Sequence, residues 1–209
     1  MALHGTNHDE GNLLDDISHY PPESGLKQAA EKYGVLVVCP FGRGNSEYRG
    51  IGENDVFCVL EEVKRHFRVD DGRIYLTGHS MGGGGTAYLS LHHPGVFAAA
   101  APLAGPHGFK WLAANAGHLP IRWTIGSLDD DFRNAGIMAG VERMKRLGCP
   151  IQLIELVGED HYGTAKDFSS VFEWFLRHQR SAPPKAFTFE VDTPGAEIHR
   201  RHGRPGRRT

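Results

Sequence analysis

Short apolar segments alternate along this chain with longer segments whose apolar residues recur every three or four positions. The short segments predict buried β-strands, and the longer ones predict amphipathic helices that cover a sheet. The predicted strands span residues 35–40, 73–77, 98–103, 121–125 and 151–157, and the predicted helices lie near 56–67, 86–92, 137–144 and 168–176. This alternation is typical of an α/β fold with a mostly parallel sheet and flanking helices.

The pattern fades after residue 182, which divides the chain into three predicted parts. At 209 residues the chain has room for one domain of ordinary size, predicted over residues 1–182. Residues 183–198 are predicted to form an extension, in which 187–191 alternate like a short edge strand. Residues 199–209 are rich in arginine and are predicted to be disordered.

The composition narrows the class of protein. With 23 basic and 25 acidic residues the net charge is −2, and this near balance argues against a nucleic-acid-binding protein. The three cysteines are an odd number, unlike the disulfide framework of a small secreted domain. No apolar run approaches the roughly 20 residues of a membrane-spanning helix. No signal peptide is visible at the N-terminus either, which favours a cytoplasmic protein without a membrane partner.

The strongest local signal is the pentapeptide Gly78-His79-Ser80-Met81-Gly82, which has the pattern G-x-S-x-G. It lies between a predicted strand and a predicted helix, the context in which this pattern forms a sharp turn that exposes the serine. Side chains at positions 78 and 82 would collide across such a turn, so both must be glycine. Ser80 is therefore the predicted nucleophile. It needs a neighbouring base, because a serine hydroxyl is a weak nucleophile near neutral pH.

The stretch from Val69 to Gly83 (VDDGRIYLTGHSMGG) resembles the α/β-hydrolase superfamily. Within it, the stretch is similar to the esterase branch that includes polyhydroxybutyrate depolymerase-like, feruloyl and S-formylglutathione-hydrolase-like enzymes. The resemblance extends from about Leu3 to about Val191. It implies an α/β-hydrolase fold and hydrolysis of carboxylic esters through an acyl-enzyme, with no metal and no cofactor. Residues 104–120 leave no room for a large lid domain, so we expect an open cleft for a small or polymeric ester.

The resemblance also implies that serine, acid and histidine follow in this order along the chain. The acid is expected at Asp129, in the G-x-x-D turn after the fourth predicted strand, with Asp130 and Asp131 as alternatives. The base is expected at His161, in the loop after the fifth predicted strand. Two acidic residues, 159–160, precede this histidine where the family often has small residues.

Two backbone N–H groups are expected to stabilise the oxyanion. One belongs to Met81 and the other to Thr6, in a segment that resembles the family's His-Gly turn, with Gly5 as the alternative. A rival interpretation of this segment is a zinc site, because His4 and His8 are four residues apart. That interpretation needs a helix, whereas the residues between the two histidines are typical of a loop.

Side chains on loops that are predicted to face the cleft are candidates for binding the substrate. They are Phe41, Tyr48, His107, Phe109, Trp111 and Tyr162. Aromatic side chains at such positions suit substrate binding and packing equally, so both interpretations stay open. The segment 42–50 is a candidate for polar contacts with the substrate, with a plain surface loop as the alternative.

Only three residues precede the His-Gly segment, whereas family members begin with two further strands, so the chain looks shortened at its N-terminus. The predicted strand 35–40 would then lie at an unpaired sheet edge, and such an edge favours pairing into a homodimer. Two other functions stay open at this point. One is a serine peptidase of the prolyl-oligopeptidase type, which shares the turn and the chain order. The other is a hydrolase fold that serves only to bind a partner.

Overall fold

The computed structural model describes residues 1–15, 25–180 and 188–192. Within these ranges a five-stranded sheet has its strands in the order of the chain, and all neighbouring strands are parallel. The strands are β1 (Ala2–Leu3), β2 (Tyr75–His79), β3 (Ala99–Leu103), β4 (Ile121–Gly126) and β5 (Ile151–Leu156). The predicted parallel α/β architecture is therefore confirmed. Because the strands are parallel, their carboxyl ends meet along one edge of the sheet.

Helices in the described ranges cover both faces of the sheet. They are α1 (Glu10–Asp15), α2 (Leu26–Tyr33), α3 (Ile51–His66), α4 (Met81–His92), α5 (Asp131–Arg146) and α6 (Phe168–Phe175). Short 3₁₀ turns span Asp71–Arg73, Lys110–Ala116 and Tyr162–Ala165. Among the residues that the structure describes, no helix is both long and apolar enough to cross a membrane.

Successive residues of each strand point to opposite faces of the sheet, and two apolar clusters result. Leu76 of β2 lies in the cluster that contains residues of α3, α4 and α5. Its neighbour Tyr75 lies in the cluster that contains residues of α1, α2 and α6. The central strands are thus buried on both faces, which explains their continuous apolar character in the sequence.

The prediction of a strand at residues 35–40 is wrong. The segment lies beside β1, where the Ala2 N–H donates to the Val38 carbonyl at 2.9 Å, but it forms no strand. The reason is that β1 has only two residues, so it offers too few backbone N–H and carbonyl groups for the segment to pair with as a strand. Leu36 is accordingly 51% exposed instead of buried. The homodimer expected from this edge stays a prediction.

The prediction of an edge strand at 187–191 is wrong where the structure describes that stretch. Residues 188–192 form no strand, because the side-chain amide of Asn115 binds them instead. It accepts from the Glu190 N–H at 2.7 Å and donates to the Glu190 carbonyl at 2.9 Å, which satisfies the backbone groups that a neighbouring strand would otherwise satisfy. The predicted tail, residues 199–209, lies outside the described residues, and the division into three parts stays a prediction.

Four consecutive glycines, residues 82–85, let the start of α4 approach the sheet closely. A Cβ at Gly82 would overlap the Leu3 carbonyl of β1, and a Cβ at Gly83 would overlap the Leu103 carbonyl of β3. Each glycine in a helix interior costs about 1 kcal/mol relative to alanine. The tertiary contacts of α4, and not its helix propensity, therefore stabilise the first turn of this helix.

We expect Gly83→Ala to destabilise the protein by about 1–3 kcal/mol, because the new methyl group would press on a backbone carbonyl that cannot move away. The matched control is Gly136→Ala in α5, where a new Cβ has no neighbour within 4 Å. This change should raise the free energy of unfolding by up to about 1 kcal/mol. Urea denaturation of both variants and the parent protein measures the two effects. Equal stabilities for the two variants would contradict the packing argument.

Candidate active site

Ser80 joins the end of β2 directly to the start of α4. Its backbone has φ 59° and ψ −119°, which is strained for any residue with a Cβ. The Ser80 N–H donates to the Leu103 carbonyl, and the Ser80 carbonyl accepts from the Gly84 N–H, both at 3.0 Å. These bonds hold the strained turn, which presents the hydroxyl at the carboxyl edge of the sheet. There it lies beside the first-turn N–H groups of α4, which have no partner within the helix.

Glycines on both sides make room for this turn, as the G-x-S-x-G pattern predicts. A Cβ at Gly78 would lie only 2.5 Å from the Gly82 carbonyl oxygen. A Cβ at Gly5 would lie 3.6 Å from the Ser80 Cβ, so the His-Gly segment is adjacent to the nucleophile. The segment that contains Gly5 and Thr6 therefore lies near Ser80, and its role in binding the oxyanion stays a prediction.

Asp129 follows β4, and its side chain is 3% exposed. Its Oδ2 accepts from His161, whereas its Oδ1 accepts from the Asp130 N–H at 2.7 Å and from the Arg133 guanidinium. The two alternative acids lie elsewhere: the Asp130 carboxylate caps α5 by accepting from the Arg133 N–H at 2.8 Å, and Asp131 is exposed. The structure therefore brings Asp129, and neither neighbour, to the histidine.

Backbone contacts join the loop after β4 to the loop after β5. The Leu128 N–H donates to the Glu159 carbonyl at 2.9 Å. Gly126, the last residue of β4, allows this approach, because a Cβ there would overlap the same Glu159 carbonyl. The two loops that carry Asp129 and His161 are thereby held against each other.

Ser80, His161 and Asp129 form one chain of hydrogen bonds. Ser80 Oγ lies 2.9 Å from His161 Nε2, and His161 Nδ1 lies 2.8 Å from Asp129 Oδ2. With its proton on Nδ1, the imidazole donates to the carboxylate and leaves Nε2 to accept the serine hydroxyl. The His161 side chain is 20% exposed. The arrangement is that of a serine nucleophile with a general base and a buried orienting acid.

The two acidic residues before His161, which depart from the family pattern, have partners other than the imidazole. Glu159 forms an ion pair with Lys166 Nζ at 2.5 Å. Asp160 accepts from the Gly163 N–H at 2.9 Å, and this bond is the main reason that the pKa of Asp160 lies below its usual value. Both carboxylates therefore shape the turn that carries His161.

His79, directly before the nucleophile, ties the histidine loop to the sheet. Its buried Nε2 donates to the His161 carbonyl oxygen at 2.8 Å, and the two rings lie 4.7 Å apart. Burial, and to a lesser extent the neighbouring His161, lowers the pKa of His79 from 6.5 to about 3. The ring is therefore neutral near pH 7. The sequence analysis did not identify His79 as a functional residue, because the only sign of such a role is its position inside the G-x-S-x-G motif.

A cavity of about 290 Å³ lies beside Ser80. Four of the residues predicted to bind the substrate or oxyanion contribute to its lining: Thr6, Met81, His107 and Phe109. Three more come from the segment that was a candidate for polar contacts: Asn45, Glu47 and Arg49. The cavity thus combines an apolar wall with charged and amide groups close to the nucleophile.

Tyr48 is wrong as a predicted substrate contact, because its side chain is fully buried. Its hydroxyl donates to the His4 carbonyl at 3.1 Å, and its ring fills the space next to Gly85, where a Cβ would overlap it. Tyr48 therefore packs against Gly85, which lines the cavity, and is not itself among the lining residues.

The three other aromatic candidates lie outside the cavity lining. Phe41 stacks on the His4 ring at 6.5 Å, and Trp111 Nε1 donates to Asp192 Oδ2 at 3.2 Å. Tyr162 lies edge-on to the His161 ring at 5.4 Å. Each is roughly half exposed, so their roles as substrate contacts stay predictions.

Arg133 is a residue that sequence reasoning missed. It is the third residue of α5, its side chain lines the cavity, and its guanidinium lies between Asp129 and His161. The one feature of the sequence that could have identified Arg133 is its position four residues after Asp129, a spacing at which an acid and a base can pair.

The geometry gives the rival zinc interpretation of the N-terminal segment no support. His4 is buried, with Nε2 at 2.7 Å from the Phe41 carbonyl oxygen and Nδ1 at 2.9 Å from the Gly5 carbonyl oxygen. Among the described residues, no group of three or more His, Cys, Asp or Glu side chains could hold a metal ion.

Several known proteins are similar to this chain in sequence or in fold. The Esterase family model matches residues 58–161, a range that contains Ser80, Asp129 and His161. A bifunctional acetylxylan esterase/xylanase of Neocallimastix patriciarum is 31% identical over 134 residues, which cover 62% of this chain and 19% of that protein. An S-formylglutathione hydrolase of Mus musculus is 29% identical over 120 residues, which cover 43% of each chain. The chain thus spans less than half the length of these curated relatives.

The solved structure of a ferulic acid esterase superimposes with a TM-score of 0.67 and 16% identity, over 84% of this chain and 83% of that one. The chain has an α/β-hydrolase fold. At this identity the structural likeness shows the fold alone, while the family model and the curated relatives show that part of the chain is similar in sequence to esterases. The described residues between β3 and β4 form a short 3₁₀ turn and no lid domain.

The low pKa of His79 predicts how the stability of the protein depends on pH. Between pH 6.5 and about 3 the unfolded chain binds a proton at His79 that the folded protein does not bind. The free energy of unfolding should therefore fall as the pH is lowered through this range, by up to about 1.4 kcal/mol per pH unit. His79→Gln keeps a donor for the His161 carbonyl and should remove this part of the slope. Urea denaturation between pH 7 and pH 4 measures it, and an unchanged slope in the variant would contradict the assignment.

Proposed function

We propose that this α/β-hydrolase cleaves carboxylic esters by transferring the acyl group to Ser80. The observation that carries the proposal is the hydrogen-bonded chain of Ser80, His161 and Asp129 beside a cavity of about 290 Å³. The relatives named as esterases or as a hydrolase of S-formylglutathione support the same reaction class.

The geometry supports a two-step reaction. Ser80 Oγ attacks the acyl carbon while its proton passes to His161 Nε2, and the same nitrogen then protonates the oxygen of the departing alcohol. Water attacks the acyl-enzyme in the second step, again giving its proton to Nε2, and the acid leaves as Ser80 regains its hydrogen. Asp129 keeps the proton of the neutral imidazole on Nδ1 and stabilises the imidazolium that forms in each step.

The negative oxygen of each tetrahedral intermediate needs fixed donors. The Met81 N–H belongs to the first turn of α4, where the helix dipole also favours negative charge. The Thr6 N–H is the second proposed donor, because Thr6 lines the same cavity and Gly5 lies against Ser80. The two proposed donors come from segments that are far apart in the chain and that line the same cavity.

The cavity favours esters with a short or flat acyl group. Its lining includes the apolar residues Phe109 and Pro106 and the polar residues Asn45 and Arg49. The names of the relatives, an acetylxylan esterase, an S-formylglutathione hydrolase and a ferulic acid esterase, point to acyl groups of this kind. Acetyl, butyryl and feruloyl esters are therefore the substrates to compare first.

Ser80→Ala is expected to abolish turnover of p-nitrophenyl acetate and butyrate, with a loss of at least about 10³-fold in kcat/KM, because the nucleophile is missing. Ser90→Ala is the matched control. Ser90 is buried in the same helix, but its hydroxyl donates to the Ala87 carbonyl and lies outside the cavity lining. Release of p-nitrophenol measures both variants against the parent protein.

Equal rates for Ser80→Ala and the parent protein would remove the proposed mechanism. Cleavage of a peptide p-nitroanilide without cleavage of the esters would favour the serine peptidase instead. A parent protein that turns over neither substrate and does not react with an alkyl fluorophosphonate at Ser80 would favour the binding protein.

Thr6→Pro tests the second oxyanion donor, because proline has no N–H. We expect kcat to fall by about 10²–10³-fold with little change in KM. Thr6→Ala keeps the N–H and is the control, with a kcat close to that of the parent protein. Circular dichroism and the thermal midpoint check that both variants fold. A folded Thr6→Pro variant with the parent kcat would assign the donor to another residue.

A further inference from the structure

Arg133 reaches the buried end of the Ser80–His161–Asp129 chain from the first turn of α5. Its backbone N–H donates to the Asp130 carboxylate, which fixes the start of the helix. Its guanidinium Nη1 donates to Asp129 Oδ1 and lies 2.9 Å from His161 Nδ1. The side chain is 27% exposed, so it spans the distance from the cavity to the buried carboxylate.

The Asp129 carboxylate is held by donors on both oxygens. Oδ2 accepts from His161 Nδ1, and Oδ1 accepts from the Asp130 N–H and from Arg133. Without Arg133, Oδ1 would keep only the neutral backbone N–H of Asp130 as a donor. The guanidinium adds a second, charge-assisted donor to the oxygen that does not face the histidine, and this bond fixes the plane of the carboxylate.

The orientation of Asp129 decides which nitrogen of His161 carries the proton. Nδ1 has a single hydrogen-bonding direction, and both Asp129 and Arg133 lie within reach of it. If Nδ1 accepted from Arg133, the proton would sit on Nε2, and His161 could not take the proton of Ser80. While the Arg133 N–H is bound to Oδ1, Nδ1 is left to donate to Oδ2, and Nε2 remains the base.

We propose that Arg133 is a positioning residue, which holds the Asp129 carboxylate so that His161 keeps its proton on Nδ1 and its base nitrogen toward Ser80. The inference rests on the proposed ester hydrolysis. It assigns a role to a side chain that neither the motif nor the chain order of serine, acid and histidine requires. The side chain acts through Asp129, so its loss should slow the chemical step and leave substrate binding almost unchanged.

The test compares Arg133→Met with Arg133→Lys. The two replacements have similar length, but only lysine keeps a charged donor for Asp129 Oδ1. We expect kcat for p-nitrophenyl butyrate to fall by about 10–100-fold in Arg133→Met, because a misplaced base costs this much. KM should change less than about 3-fold, and Arg133→Lys should recover at least about a third of the parent kcat. Arg146→Met, at an exposed arginine of the same helix, should match the parent protein.

A second measurement separates this inference from the proposed function. The rate at which an alkyl fluorophosphonate labels Ser80 depends on the same base but not on turnover of an ester. It should fall in parallel in Arg133→Met. If the parent protein is labelled but cleaves no ester, the proposed function fails while the role of Arg133 is still measured.

Arg133→Gln is the reserve variant if Arg133→Met does not fold. Glutamine is polar but too short to reach Asp129 Oδ1, so the same losses of kcat and labelling rate are expected.

Three outcomes would overturn the inference. A raised KM with an unchanged kcat would make Arg133 a substrate-binding residue. Equal losses in the lysine and methionine variants would show that the donor to Asp129 is not what matters. If Arg133→Met had the same kcat and labelling rate as the parent protein, Asp130 and His161 alone would orient the acid.

Discussion

Ser80 has a left-handed backbone between β2 and α4, and the surrounding structure is arranged to tolerate that strain. The turn needs glycine at 78 and 82, and it needs α4 to begin directly against β1 and β3. The run of glycines that follows satisfies the second requirement at a cost in helix propensity. Packing of the sheet against α4 therefore stabilises the fold and, at the same time, holds the Ser80 hydroxyl in its exposed position.

The parallel sheet brings the other parts of the site to the same edge. The loops after β2, β4 and β5 all leave the carboxyl ends of their strands, and backbone contacts at Gly126 and Leu128 join the last two. His79 connects the third loop back to β2 through the His161 carbonyl. The imidazole is thus held from its backbone by one histidine and from its ring by Asp129 and Ser80.

Each acidic side chain near the site has a hydrogen-bond or ion-pair partner close by. Glu159 has Lys166 as its partner, Asp160 accepts from the backbone, and Asp129 accepts from Arg133 as well as from His161. A buried carboxylate is stable only when its oxygens have such donors. Arg133 supplies one of the donors to the buried acid, and it also lines the cavity.

Local pattern in the sequence predicted the alternation of strands and helices and the turn at Ser80, because periodicity, glycine and proline act over a few residues. The two loops expected to carry the acid and the base came from the resemblance to a known family. The same pattern was misleading at 35–40 and 187–191, because an apolar or alternating run forms a strand only where a neighbouring strand offers enough backbone groups.

Only the tertiary structure placed Tyr48 in the core and brought Arg133 and His79 to His161. It also showed that Asp129, the acid expected from the sequence, contacts the imidazole while Asp130 caps α5. These outcomes depend on contacts between residues that are far apart in the chain, such as the 32 positions between Asp129 and His161. Such distances are set by how the helices and strands pack together. No pattern along the sequence records them, because each residue type involved is equally suited to an exposed loop.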